Sequence, residues 1–305
     1  MTGKVHTLLS RFIILFLKAG SVLPLRVLHG IGSGIGLILA SFPNEPRWIT
    51  RSNLNVCFPG IDADRFRELE QGSLKETCKG FMELAVFWGR RRPDSGKFVQ
   101  QVNGGEILES AFKTGKGVIL LVPHLGSWEF LSHYLALNYP ITALFRPLRM
   151  PSLQGFVLSG RQLEGARLVP TTPAGIRSLF RALQRGELVA ILPDQDPGRE
   201  GSVFAPFFGV QASTMLLASR LARRSGAEVL ANFALRLPRG GGYDVFIRTV
   251  PEEIKSDDPE ISAAALNRAV ESCVREDPGQ YLWSYKRFKT RPEGDNRTIY
   301  AKGQY

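Results

Sequence analysis

Short apolar runs alternate with amphipathic stretches from about residue 100 onward, and this alternation predicts strands that alternate with helices. The run Val118 to Val122 is rich in β-branched residues and is too short for a helix, so it fits a strand covered on both faces. The order of elements predicts an α/β fold with a mostly parallel twisted sheet flanked by helices. The predicted strands are Val118 to Val122, Ile141 to Phe145, Leu188 to Leu192, Val229 to Leu235 and Tyr243 to Thr249.

Helical periodicity, with apolar residues three and four positions apart, marks the segments between these strands and on either side of them. Asp62 to Trp88 reads as one or two amphipathic helices ahead of the sheet. The other predicted helices lie near Phe130 to Leu137, Leu153 to Glu164, Ala174 to Arg185, Thr214 to Arg224 and Glu260 to Arg275.

Residues 1–42 are unusually apolar. Phe12 to Leu17 has only apolar side chains, and Val27 to Phe42 contains no Lys, Arg, Asp or Glu, but Lys18 and Pro24 interrupt the segment. A spanning helix needs about 20 mostly apolar residues, which this segment approaches without clearly reaching. A short span starting near Leu23, a hairpin in one leaflet and a buried core segment all remain open, and the flanking basic residues favour attachment to a membrane.

Four alternate glycines in this segment resemble small-residue helix-packing positions more than a nucleotide-binding loop, because no strand precedes them. They are Gly30, Gly32, Gly34 and Gly36. We therefore divide the chain into a membrane anchor at residues 1–42, an α/β domain at residues 43–290 and a polar tail at residues 291–305.

The chain of 305 residues has a net charge of +11, which implies an acidic partner. Nucleic acid, anionic lipid, a phosphorylated substrate and an acidic carrier protein all fit this charge. Cys57, Cys78 and Cys273 are far apart and odd in number, so neither a disulfide framework nor a zinc site is expected. A reducing compartment fits this cysteine usage best.

His124 ends the first predicted strand after Pro123, and Glu129 follows five residues later. Residues five apart on one helix point about 140° away from each other, so the two side chains meet only if His124 lies on the turn before the helix. A histidine oriented by a carboxylate is a general base. The pattern therefore predicts His124 and Glu129 as a catalytic pair at the carboxyl edge of the sheet, where ligands usually bind.

Other polar residues also follow predicted strands. Arg146 follows the second strand, and Asp194, Asp196 and Arg199 follow the third. We assign these four residues to substrate binding, since arginines bind phosphates or carboxylates and acids orient such groups. The two aspartates would be a metal site only with further ligands, and no His, Cys or acid stands at ligand spacing, so we expect no metal and no cofactor.

Aromatic and basic residues alternate in Tyr281 to Lys289, YLWSYKRFK. Such a segment can stack on nucleic-acid bases, lie at a membrane interface, or form a core-edge strand with solvated bases. The sequence leaves these alternatives open.

Several blocks together resemble the late lipid A acyltransferases, the lauroyl and myristoyl transferases of Gram-negative bacteria. The blocks, which occur in the family's order over nearly the whole chain, are His124-Leu-Gly-Ser-Trp-Glu129, Arg146-Pro147, Asp194-Gln195-Asp196, Pro206-Phe-Phe-Gly209 and Tyr281 to Lys289. The chain departs from the family where a W-x-H-R-R-F-K block usually occurs, since Tyr285 and Lys286 replace the histidine and the first arginine.

The resemblance implies a glycerolipid-acyltransferase-like domain at the cytoplasmic face of the inner membrane. It implies transfer of an acyl chain from acyl carrier protein to a hydroxyl of the Kdo-bearing lipid A precursor, with anionic membrane lipids as further partners and no nucleic acid. A related transferase acting on another glycolipid or aminolipid is the first alternative. A non-catalytic basic protein that binds membranes or nucleic acid is the second.

Overall fold

The computed structural model describes residues 2–90, 94–147, 151–161, 165–295 and 298–300, with side chains from residue 9 onward. Two helices, α1 and α2, precede two more, α3 and α4, and the α/β part follows. The helices are α1 Thr2–Gly20, α2 Leu25–Ser41, α3 Glu45–Cys57, α4 Ala63–Phe87, α5 Gly105–Lys113, α6 Trp128–Asn138, α7 Pro151–Arg161, α8 Pro173–Gln184, α9 Leu217–Ser225 and α10 Pro259–Glu276.

Seven strands form one sheet in the order β1-β9-β8-β2-β5-β3-β4, and β6 and β7 form a separate hairpin. All pairs in the large sheet are parallel except β8 with β9. The predicted fold, a mostly parallel sheet flanked by helices, is confirmed. The strands are β1 Val99–Asn103, β2 Val118–Leu121, β3 Ile141–Phe145, β4 Ala166–Pro170, β5 Leu188–Ile191, β6 Ser202–Phe207, β7 Val210–Met215, β8 Glu228–Arg236 and β9 Tyr243–Thr249.

The five predicted strands are present, and their ends agree with the prediction to within one residue. The unpredicted β1 and β4 lie at the two edges of the sheet, where most of their side chains are at least partly exposed. An edge strand has less need of apolar side chains, so it lacks the pattern of a buried strand. The helix predicted from Thr214 begins instead at Leu217, because Val210–Met215 pairs with β6.

Alternate residues of the central strand β2 belong to the two sides of the core. Ile119 and Leu121 pack into one apolar cluster, and Val118 and Leu120 pack into the other. All four residues are essentially inaccessible to solvent. The ends of β2 and its neighbours are therefore fixed by packing on both faces of the sheet.

The helix α2 packs tightly along α4. A Cβ at Gly32 would lie 2.7 Å from the Lys79 backbone, and one at Gly36 would lie 2.4 Å from the Lys75 backbone, so only glycine permits this approach. A Cβ at Gly30 or Gly34 would meet nothing within 4 Å. Two of the four glycines therefore serve the helix packing expected from the sequence.

Most of the exposed large hydrophobic side chains in the described chain belong to the first 42 residues. No single described helix is long and apolar enough to cross a membrane, whereas α2 and α3 pass that test only as a pair bent by 78°. A spanning anchor is thus not confirmed. We call the exposed set the N-terminal apolar face: Leu9, Phe12, Leu15, Phe16, Val22, Val27, Ile31, Ile35, Leu37, Ile38 and Phe42, with Phe81 of α4.

Candidate active site

The adjacent strands β2 and β5 bring His124 and Asp194 together. Leu121 of β2 and Ile191 of β5 are register partners. His124 follows Leu121 by three residues, and Asp194 follows Ile191 by three residues. The Nδ1 atom of His124 lies 2.7 Å from Asp194 Oδ1, and the His124 backbone N–H donates to Oδ2 at 2.8 Å. Both side chains are buried. The carboxyl edge of the sheet therefore carries a preformed His–Asp pair.

The pairing determines which nitrogen of His124 carries the proton. Burial by itself would raise the pKa of Asp194, but the adjacent His124 and its hydrogen bonds hold that pKa below its usual value. An ionised carboxylate only accepts, so Nδ1 carries the proton and Nε2 keeps its lone pair. Gln195 Nε2 lies 3.1 Å from His124 Nε2, where an amide N–H donates to that lone pair. The unprotonated nitrogen of His124 thus faces the Gln195 amide.

Tyr281 lies beside the same carboxylate. Burial raises the pKa of the Tyr281 hydroxyl well above its usual value, and the negative charge of Asp194 raises it further. Tyr281 therefore remains protonated and neutral across the physiological range. Because the Tyr281 hydroxyl is neutral, the Asp194 carboxylate is the negative charge beside His124.

Residues 124–127, which we call the catalytic loop, lie directly against the neighbouring strand β8. Gly126 has a φ of +58°, and a Cβ there would lie 1.9 Å from the carbonyl oxygen of Ala234. The loop is bonded through Gly126 N–H to the Gln280 carbonyl at 3.1 Å and through Ser127 N–H to the Ala234 carbonyl at 2.8 Å. Only glycine permits this approach, so the Gly126 backbone fixes where His124 emerges.

In the structure His124 is bonded to Asp194, and none of the described hydrogen bonds or ion pairs joins it to Glu129, the partner expected from the sequence. The helix α6 begins at Trp128, which places Glu129 in its first turn. The described hydrogen bonds of its carboxylate come from Trp88 Nε1 at 2.9 Å and from the Arg161 guanidinium, whose Nε lies 3.1 Å away. Between His124 and Glu129 the chain turns from the sheet edge into α6, and this turn separates the two side chains. Asp194 makes the contact that the sequence assigned to Glu129.

Glu129 instead connects three helices, since Trp88 follows α4 and Arg161 ends α7. Burial by itself would raise the pKa of Glu129, but the charge and hydrogen bonds of Arg161 and the Trp88 donor hold that pKa below its usual value. The Arg161 guanidinium also lies 5.1 Å above the Trp88 ring. Arg161 was not singled out from the sequence, because only the tertiary fold brings α7 to α6.

A groove of about 1030 Å³ runs between the N-terminal helices and the sheet edge. One wall is apolar and comes from α2, α3 and α4, with Ile35, Leu39, Ile49, Phe81 and Met82 among its residues. The opposite wall is polar and includes Arg146, Asp196, Tyr285, Lys286 and Lys289.

His124, Asp194 and Gln195 line a separate pocket, and Tyr285 connects it to the groove because Tyr285 lines both. The described lining of the groove includes Arg146 and Asp196 but not Arg199, which donates to the carbonyl of Arg291 at 3.1 Å. Asp196 accepts from the backbone N–H groups of Gly198 at 2.8 Å and Thr290 at 2.7 Å. The residues predicted to bind substrate are thus separated: two line the groove, Asp194 orients His124, and Arg199 lies at an exposed loop contact.

The aromatic residues of the Tyr281 to Lys289 segment are mostly buried. Tyr281, Trp283 and Phe288 belong to the core, and buried Arg287 donates to the carbonyl of Ser213 at 2.6 Å. These rings are therefore not available to stack on nucleic-acid bases. The segment instead places Tyr285 and two lysines at the groove.

A buried His–Asp pair beside a groove lined by apolar, acidic and basic residues fits an enzyme that activates a hydroxyl of a lipid. Residues 4–290 match the bacterial lipid A biosynthesis acyltransferase family, and the chain belongs to that family. It is an acyltransferase of lipid A biosynthesis, as the resemblance implied.

Named relatives from Escherichia coli (strain K12) agree with this membership. The chain is 31% identical over 277 residues to the lipid A biosynthesis lauroyltransferase, covering 89% of this chain and 88% of the relative. It is 32% identical over 278 residues to the palmitoleoyltransferase, covering 90% and 89%. It is 26% identical over 254 residues to the myristoyltransferase, covering 83% and 78%. These relatives are named for different acyl chains, so similarity to them does not select one chain length.

Proposed function

We propose that His124 is the general base of acyl transfer to a lipid hydroxyl and that Asp194 orients and charge-balances its imidazole. The observation that carries this proposal is the hydrogen bond of 2.7 Å from His124 Nδ1 to Asp194. His124 Nε2 takes the proton of the acceptor hydroxyl, whose oxygen attacks the thioester carbonyl carbon of the donor. As the tetrahedral adduct collapses, the C–S bond breaks and the proton passes to the leaving thiolate. The new ester forms with no acyl-enzyme intermediate.

The proposed donor is an acyl thioester of acyl carrier protein, and the proposed acceptor is a hydroxyl on an acyl chain of the Kdo-lipid A precursor. The groove suits both, because its apolar wall fits hydrocarbon chains while Arg146, Lys286 and Lys289 fit phosphates. The net charge of +11 also favours approach of an acidic carrier protein. Asp196 shapes the groove through its two backbone hydrogen bonds and is proposed to limit where the phosphates bind.

Glu129 is retained in the proposed site as the ion-pair partner of Arg161. A buried carboxylate that accepts from both Arg161 and Trp88 holds these side chains in one arrangement beside the catalytic loop. Its effect on catalysis would then come through Arg161 and the start of α6, without direct contact with His124.

The N-terminal apolar face is proposed to lie in the inner membrane at its cytoplasmic side, in contact with anionic lipids. The groove includes Ile35 and Phe81 of this face, so a lipid substrate could enter it without leaving the bilayer. Arg11 and Lys18 lie in α1, and Arg47 and Arg51 lie in α3, where they also pair with Glu70; all four are proposed to meet phosphate headgroups. Arg199 is proposed as a peripheral headgroup contact, since it lies at an exposed loop.

The proposed function is tested with purified protein, acyl carrier protein thioesters of several chain lengths and a lipid A precursor, with products identified by mass. His124→Ala should lower turnover by about 10²- to 10⁴-fold, which is the usual contribution of general-base assistance. The matched control is His133→Phe, since His133 is also buried but its ring nitrogens have no described hydrogen-bond partner. If His124→Ala with an unchanged circular dichroism spectrum transferred acyl chains at the wild-type rate, the assignment would be wrong.

A further inference from the structure

Glu83 of α4 is a buried carboxylate outside the His–Asp pair, and its side chain is 1% exposed. Its Oε1 accepts from Arg236 Nε at 2.7 Å and from the Tyr243 hydroxyl at 2.8 Å, and lies 2.6 Å from His29 Nε2. Its Oε2 accepts from Arg236 at 2.9 Å and from the Ser127 hydroxyl at 2.7 Å. Every lone-pair direction of this carboxylate is therefore in use.

The charge of Glu83 is compensated within the core. Burial by itself would raise the pKa of Glu83, but the Arg236 guanidinium and the His29 hydrogen bond hold that pKa far below its usual value. Arg236 is itself buried and its pKa is raised, since the attraction of Glu83 outweighs the cost of burial. The pair is ionised, and it gives Glu83 the acceptor strength to hold neutral donors firmly.

The partners of Glu83 come from four different parts of the chain. His29 lies in α2, Arg236 ends β8, Tyr243 begins β9 and Ser127 belongs to the catalytic loop. Ser127 precedes α6, but its hydroxyl does not cap that helix. The hydroxyl instead points back to Glu83, which makes it a second side-chain anchor of the loop, at the opposite end from the bonds of His124 to Asp194.

From these contacts we infer that Glu83 is a positioning residue, which holds the catalytic loop through Ser127 and connects it to α2 through His29. The inference rests on the proposed role of His124. The helix α2 carries part of the N-terminal apolar face. The hydrogen bonds from His29 to Glu83 and from Ser127 to Glu83 therefore link that face to the loop that presents His124. A small displacement of a catalytic group is costly because proton transfer needs close alignment.

The test removes single hydrogen bonds and leaves the Glu83–Arg236 pair intact. Ser127→Ala removes the loop anchor and keeps the bonds of Glu83 to Arg236, His29 and Tyr243. His29→Phe keeps a ring of similar size and removes only the Nε2 bond, because His29 Nδ1 has no described partner. The matched control is Ser262→Ala, which also removes a buried hydroxyl but lies in α10 and donates to the carbonyl of Pro259.

Ser127→Ala should lower kcat about tenfold with KM unchanged, and amide hydrogen exchange in residues 124–128 should become faster. His29→Phe should give a smaller loss, and the double variant should lose less than the product of the two single losses, since both act through Glu83. Ser262→Ala should change neither kcat nor exchange in the loop.

Wild-type kcat in Ser127→Ala, or unchanged amide hydrogen exchange in residues 124–128, would overturn the positioning role. Strictly multiplicative losses would refute the connection from α2 through Glu83. If the wild-type protein transferred no acyl chain, the proposed function would fail, and the exchange measurement alone would then decide whether Glu83 positions the loop.

Discussion

Replacing Asp194 with asparagine separates the two carboxylates that compete for the role of histidine partner. Asparagine matches aspartate in shape, but it removes the charge opposite His124 and offers an N–H₂ group as well as an oxygen. When that N–H₂ group faces Nδ1, the histidine proton moves to Nε2, which is the nitrogen proposed to accept the substrate proton. Asp194→Asn therefore removes both the counter-charge and the correct tautomer.

The hydrogen bond of 2.7 Å and the burial of both side chains determine the size of the effect. For charge centres about 4 Å apart, attraction of an imidazolium to a carboxylate is about 4 kcal/mol at an effective dielectric constant of about 20. Loss of that stabilisation in the transition state lowers kcat about 10³-fold. KM should change little, since Asp194 faces His124 and is almost inaccessible to solvent.

The assay is steady-state acyl transfer by Asp194→Asn and Glu129→Gln, each with a circular dichroism spectrum to verify folding. Asp194→Asn should lose the basic group from the pH dependence of kcat/KM, whereas Glu129→Gln should retain it. If Asp194→Asn kept kcat within about threefold of wild type while Glu129→Gln abolished it, the pairing of His124 with Asp194 would have no catalytic meaning.

The lowered pKa of Asp194 also predicts how stability depends on pH. A carboxyl group with a folded-state pKa below its unfolded value of about 4 stabilises the protein above that pH and loses this contribution as the pH falls through the folded-state pKa. The melting temperature of the wild type should therefore approach that of Asp194→Asn as the pH falls below about 4. A constant difference between the two proteins down to pH 2 would contradict the lowered pKa.

The remaining predictions concern Glu129, the groove and the apolar face. Glu129→Gln should lower the melting temperature, because its guanidinium partner on α7 loses a buried counter-charge; an unchanged thermal melt would contradict this. Arg146→Gln should raise the KM for the phosphorylated acceptor about tenfold with little change in kcat, and Arg199→Gln, outside the groove, should have a smaller effect. The reverse ranking of these two arginines would argue against the groove as the acceptor site. Phe81→Ser should weaken binding to anionic vesicles in a flotation assay without loss of stability, since Phe81 is 60% exposed, and Leu137→Ser on α6 should not weaken it.

The His–Asp pair has a signal in the sequence that is recognisable in retrospect. The strand ends read Leu121-Val-Pro-His124 and Ile191-Leu-Pro-Asp194, so a proline precedes the functional residue in both. Once two such strands are adjacent and parallel, equal spacing from register partners places the two side chains together. The sequence does not state that β2 and β5 are neighbours, because Ile141–Phe145 lies between them in the chain.

Because the sequence does not state the strand order, the prediction paired His124 with a carboxylate close to it along the chain, Glu129. Glu129 is close to His124 in sequence, but the turn into α6 directs it to Trp88 and Arg161. Contacts between residues distant in sequence depend on how whole helices pack. No local pattern contains that information.

The sequence by itself determined the strongly patterned features: the buried strands, the sheet class, the position of His124 at a strand end and the apolar character of residues 1–42. Each follows from local periodicity or composition, which act over a few residues. The tertiary structure decided which carboxylate serves His124, which arginine meets Glu129, and how Glu83 joins the N-terminal helices to the catalytic loop. These choices depend on strand order and helix packing, which are set by the burial of the whole core at once.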